Sequence, residues 1–146
     1  MTFELDISTF HPDRPGIRKV LGDLEAEIME LIWMRSTDQG TTVRDVFGIL
    51  YERRGLAYTS IMNTMTRLAK KNVLRVEKKD TAYLYYPNYT QQEFVSQFVS
   101  RILEDLFVSF STPTHDAINA LPDAQAATYA RQLLDKIQQD RKEEEE

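Results

Sequence analysis

The chain has 146 residues, 42% of them hydrophobic and 28% charged, a balance that suits one folded domain with an appended element and excludes wholesale disorder. It has no cysteine, which excludes disulfides, thiolate zinc sites and a cysteine nucleophile, and its two histidines, His11 and His115, are too far apart in sequence to suggest a metal site. No apolar run nears the roughly 20 residues of a membrane-spanning helix, and residues 1–20 lack a secretory apolar core, so we expect a cytoplasmic protein with no membrane partner, metal or cofactor.

Residues 1–19 carry Pro12, Pro15 and Gly16 with little periodicity and read as an N-terminal extension or loose arm. A first helix is predicted from Gly22 or Asp23 to about Arg35. Asp23 serves as its N-cap, Glu25 and Glu27 suit its positive end, and Leu24, Ile28, Leu31 and Ile32 form its apolar stripe. Residues 36–40 read as a loop. Thr42 caps a second helix whose inward positions are Val43, Val46, Phe47 and Leu50, and Gly55 ends it in the left-handed conformation.

A third helix is predicted over about residues 58–71, with Ile61, Met65 and Leu68 inward, Met62 and Ala69 flanking that stripe, and Asn72 as a left-handed stop. Residues 73–77 and 83–86 are β-rich, and the polar stretch 78–81 fits a hairpin tip, with Pro87 closing the second strand. A long helix over about residues 91–110 carries Phe94, Val95, Phe98, Val99, Ile102, Leu103, Leu106 and Phe107 in one broad stripe. Two more helices fit residues 114–121 and 123–139, separated by Pro122 and with Asp123 as a cap. The glutamates at the end form a like-charge tail expected to fray.

Three helices followed by a two-stranded hairpin outline a winged helix, a helix-turn-helix variant whose second motif helix enters the major groove. The expected fold is mainly α with a small β-hairpin wing: an extension (1–19), a winged helix-turn-helix domain (20–88), a helical dimerisation region (89–140) and an acidic tail (141–146). Charge distribution supports a DNA partner. The whole chain carries −5, yet residues 41–90 hold nine Lys and Arg against four Asp and Glu. DNA responds to the local field of such a patch.

Thr59, Ser60 and Asn63 are the candidates for base contact, since small polar side chains reach base edges and Asn suits adenine. Arg53, Arg54, Tyr58, Arg67, Lys70, Lys71, Lys78 and Lys79 are the candidates for the DNA backbone, where they add affinity and salt dependence without sequence information. One winged module reads few base pairs, and such modules commonly pair over two half-sites. The stripe of the long helix offers a symmetric interface, with Phe94, Phe98, Ile102, Leu106 and Phe107 as candidate dimerisation residues. Packing by the last two helices of the same chain is the alternative cover for that stripe.

The run Leu21-Gly22-Asp23-Leu24-Glu25-Ala26-Glu27-Ile28-Met29-Glu30-Leu31-Ile32-Trp33 resembles the opening helix of the penicillinase repressors, the BlaI/MecI/CopY type. Thr42-Val43-Arg44-Asp45-Val46, the stretch 56–71 and Tyr83-Leu84-Tyr85-Tyr86-Pro87 are similar to later parts of that family in the same order. The resemblance implies a homodimeric repressor acting on a palindromic operator, often with TACA/TGTA-type half-sites, in control of a resistance or stress gene. It also implies release by a regulatory protease that cuts between asparagine and phenylalanine. Asn119-Ala120 stands at the matching place, with alanine where phenylalanine is expected. Copper-responsive members use cysteine pairs, and this chain has none.

The alternative is a winged-helix module that binds protein and has no specific DNA site. No Ser-His-Asp set, glycine-rich phosphate loop or metal cluster marks an enzyme. The carboxylates Asp23, Glu25, Glu27 and Glu30 are expected to serve a helix N-terminus and a solvated face.

Overall fold

The computed structural model describes residue 5, residues 9–35 and residues 38–145. In chain order these residues form a 3-10 turn, Gly16–Lys19, then α1 (Asp23–Arg35), α2 (Val43–Arg54), α3 (Tyr58–Lys70), β1 (Leu74–Lys79), β2 (Ala82–Pro87), α4 (Gln91–Ser109), α5 (Ser111–Asn119) and α6 (Ala124–Glu145). The mainly helical fold with one hairpin is the expected winged helix followed by C-terminal helices. The chain divides into two compact units, Met1–Val95 and Ser96–Glu146.

The helices of the first unit start and stop where local chemistry directs. Thr42 Oγ1 accepts from the Asp45 N–H at 3.0 Å while Asp45 Oδ2 accepts from the Thr42 N–H at 3.0 Å, a reciprocal cap on α2. Gly55 ends that helix at φ 63°, and Asn72 follows α3 at φ 63°. The start of α1 differs from expectation. Asp23 lies inside the helix, and the Gly22 N–H donates to Glu25 Oε1 at 2.9 Å. Asp23 instead pairs with Arg14 and Arg18.

The residues before α1 are a correction too. Residues 17–21 are not loose: Ile17, Val20 and Leu21 are buried, and Arg18 pairs with Glu30 at 3.2 Å, while residues 9–13, 15 and 16 are exposed. Their apolar spacing covers a single turn, too short for periodicity to register. The remaining residues of the expected arm, 1–4 and 6–8, lie outside the described residues.

Ile28, Leu31, Ile32, Val43, Val46, Leu50, Ile61, Met65 and Leu68 of the predicted stripes are buried, with Ala26 and Met29 beside them, while Leu24 and Phe47 are half-buried. Val73 and Leu74 extend this core into the sheet. The antiparallel pairing runs from Leu74↔Pro87 to Lys79↔Ala82. Asp80, at φ 57°, and Thr81 therefore make the tip, and Lys78 and Lys79 belong to β1, not to the turn where the sequence reading put them. A third segment joins the sheet: Thr41 and Tyr85 exchange backbone hydrogen bonds of 3.0 and 2.8 Å. Gly40 precedes it at φ 81°, where a Cβ would stand 2.8 Å from the Tyr86 ring.

In the second unit, Asp123 caps α6 through its Oδ1, which accepts from the Ala126 N–H at 2.9 Å. α5 begins at Ser111, earlier than predicted, because Pro113 falls in the first turn, where a missing N–H breaks no helical bond. α6 continues to Glu145, so the glutamates at 143–145 extend a helix where fraying was expected, and Glu146 lies outside the described residues. Thr114, Ile118, Ala127, Leu134 and Ile137 form the buried row of α5 and α6. The His115 ring meets Phe107 edge-on at 5.3 Å. Among the described residues no helix is long and apolar enough to cross a membrane.

Candidate nucleic-acid interface

α3 has two faces. Ile61, Thr64, Met65 and Leu68 are buried, and Thr64 Oγ1 donates to the Ser60 carbonyl at 2.7 Å, which satisfies its hydroxyl inside the core. Tyr58, Thr59, Ser60, Met62, Asn63, Thr66, Arg67 and Lys70 are exposed. Thr59, Ser60 and Asn63 thus share the solvent arc in the first half of the helix. The Ala57 side chain caps nothing, so the opening N–H groups of α3 lack a side-chain acceptor. The turn from α2 into α3 is held by Phe47, whose ring packs against Tyr51 at 5.3 Å and edge-on against Tyr58 at 5.4 Å.

The cations sort into two groups. Lys71 is drawn inward: its Nζ meets both Glu25 carboxylate oxygens, at 2.8 and 3.1 Å, and Glu25 is only 4% exposed. Glu25 serves the N-terminus of α1 as expected, yet it is a buried anion with its own cation and not part of a solvated face. Arg54 pairs with Glu27 at 2.8 Å. Arg53, Arg67, Lys70 and Lys79 are exposed and make no ion pair among the described residues. Lys78 stands 5.7 Å from the centre of the Tyr83 ring. The outward positive charge is therefore smaller than the count of Lys and Arg implies, and it flanks the exposed arc of α3 on both the helix and the strand.

Between α3 and the hairpin runs a cleft of about 700 Å³ lined by Tyr58, Met62 and Thr66 from the helix and by Val76, Thr81 and Tyr83 from the hairpin. Arg44 stands at its α2 end. The sequence reading placed Met62 at the flank of the inward stripe; its exposure of 39% puts it on the outer face.

The candidate dimerisation residues are not equivalent. Phe94 is 1% exposed and packs on Trp33 at 5.6 Å, inside the core of the first unit, and Phe98 is buried as well. Neither has surface to give to a partner, a correction that leaves Leu106, 44% exposed, with the half-buried Ile102 and Phe107. Val108, Phe110, Leu121 and Tyr129 join Leu106 as exposed large apolar side chains of the second unit. Asn119 ends α5 and Ala120 follows it, both exposed.

The comparisons with known proteins agree with this architecture. A family model described as Penicillinase repressor matches residues 21–141. The protein called Transcriptional regulator BlaI from two strains of Mycobacterium tuberculosis, CDC 1551 / Oshkosh and ATCC 25618 / H37Rv, is 43% identical over 76 residues. That alignment covers 52% of this chain and 54% of the relative, so the chain spans about half the length of the curated relatives it matches. With the family model extending across the winged domain and into the last helix, the chain belongs to the penicillinase repressor family, a family of transcriptional regulators and not of enzymes.

Proposed function

We propose that this protein is a homodimeric repressor that binds a palindromic operator in duplex DNA, in the cytoplasm, and there controls a resistance or stress gene. The observation that carries the reading is the outer face of α3, where Thr59, Ser60 and Asn63 are exposed beside open cations. α3 lies in the major groove, with Asn63 reading an adenine and Thr59 and Ser60 reading neighbouring base edges. Arg53, Arg67, Lys70, Lys78 and Lys79, with Tyr58, hold the phosphates. Lys71 and Arg54 contribute less than their charge suggests, since Glu25 and Glu27 already neutralise them. Two copies pair through the exposed apolar side chains of the second unit, Leu106 among them. The bond between Asn119 and Ala120 is open to a regulatory protease.

Selection of bound sequences from randomised duplexes, followed by titration in rising salt, tests this reading. We expect an inverted-repeat consensus. With about six to eight phosphates engaged per dimer, the log-log salt slope falls near −5 to −7. Asn63→Ala then loses roughly 1–3 kcal/mol at one base pair of each half-site and little elsewhere. Binding without sequence preference, or a slope near zero, would falsify it in favour of a protein-binding module.

A further inference from the structure

We infer that Met62 and Thr66 read thymine methyl groups, so that part of the operator's sequence is recognised by apolar contact; this rests on the major-groove docking of α3 proposed above. Both residues are exposed, and both line the cleft on the hairpin side of α3. At 3.6 residues per turn, two residues four apart lie nearly above one another. Met62 and Thr66 therefore make one stripe beside Thr59 and Asn63.

The chemistry of that stripe is apolar for a specific reason. Thr66 Oγ1 donates to the Met62 carbonyl at 2.9 Å. With its hydroxyl turned to the helix backbone, the group Thr66 has left for a partner is its methyl. Met62 adds an unbranched thioether that adapts to irregular surfaces. An exposed Met amid small polar and cationic side chains needs an apolar counterpart if it is to be desolvated on binding. Only an A·T pair presents a methyl group to the major groove, the C5-methyl of thymine, and apolar side chains and the Thr methyl are its usual contacts. Flanking cations bring the duplex to this stripe: Arg67 and Lys70 on α3, Lys78 and Lys79 on β1.

The test uses the full-length protein and the duplex it selects best. Each thymine is replaced in turn by deoxyuridine, which removes only the methyl. We expect one or two positions per half-site at which affinity falls about fourfold, the worth of one buried methyl. Met62→Ala, and Thr66→Ser, which keeps the hydroxyl, should bind the thymine and deoxyuridine duplexes alike at one of those positions. Their salt slope and circular dichroism should match the parent. Indifference of the parent protein to every replacement overturns the inference while leaving the operator reading intact. So does a methyl effect that survives in both variants. A parent protein that selects no sequence at all overturns the operator reading and this inference together.

Discussion

The two units of the molecule treat their large apolar side chains differently. Among the largest fully buried side chains, Ile28, Met29, Leu50, Ile61, Met65, Leu68 and Phe94 belong to the first unit, and Leu134 alone to the second. The first unit also exposes apolar groups: Phe10, Met34 and Tyr51 lie apart, while Tyr58, Met62, Val76 and Tyr83 converge on one cleft beside α3. In the second unit Leu106, Val108, Phe110, Leu121 and Tyr129 stay between 40% and 59% exposed while the buried row is short. One unit completes a core and then displays a surface. The other has more apolar area than it covers, which the proposed pairing with a second copy would bury.

This contrast can be broken most directly in the core. Leu68→Ala, at a site with no exposure, should lower the stability of the first unit by about 2–5 kcal/mol and abolish sequence-selective binding, since α3 loses its anchor. Urea unfolding reports the first effect and fluorescence anisotropy with labelled duplex the second. A loss under 1 kcal/mol would mean that the core is less complete than its burial indicates. Leu106→Asp should act in the opposite unit, converting dimers to monomers in the analytical ultracentrifuge without shifting the unfolding midpoint of the winged domain. A dimer that persists would move the pairing face elsewhere. The smallest expected effect is local: Thr42→Ala removes the side-chain acceptor that caps α2 and should lower stability by about 1 kcal/mol. An unchanged midpoint in urea would show that Asp45 and solvent suffice there.

Much of the first unit was legible in the sequence because its signals are local. The stripe Ile61, Met65, Leu68, the cap at Thr42 and the left-handed stops at Gly55 and Asn72 all depend on residues a few positions apart. What was missed depends on distance. Glu25 and Lys71 are separated by 46 residues, and nothing in either neighbourhood announces a buried ion pair. Phe94 and Leu106 were read into one helical stripe, yet Phe94 packs on Trp33, far earlier in the chain, while Leu106 is exposed. The register of the hairpin also escaped, since Lys78 and Lys79 look like turn residues by composition, whereas the left-handed Asp80 sets the turn further along. At the proposed DNA face, polar positions were readable from the helical period. The outward placement of Met62 was not, because the period alone leaves a flanking residue on either side.

The backbone bridge between Thr41 and Tyr85 carries a consequence for the choice of target. It ties the residue that leads into α2 to the middle of β2, so the hairpin cannot swing away from the helix pair without breaking two main-chain hydrogen bonds. In the dimer proposed above, each half would then behave as a rigid caliper of fixed jaw width. On that reading, tolerance for longer or shorter gaps between half-sites would reside in the joint between the two copies, and a single half-site would admit no stretching.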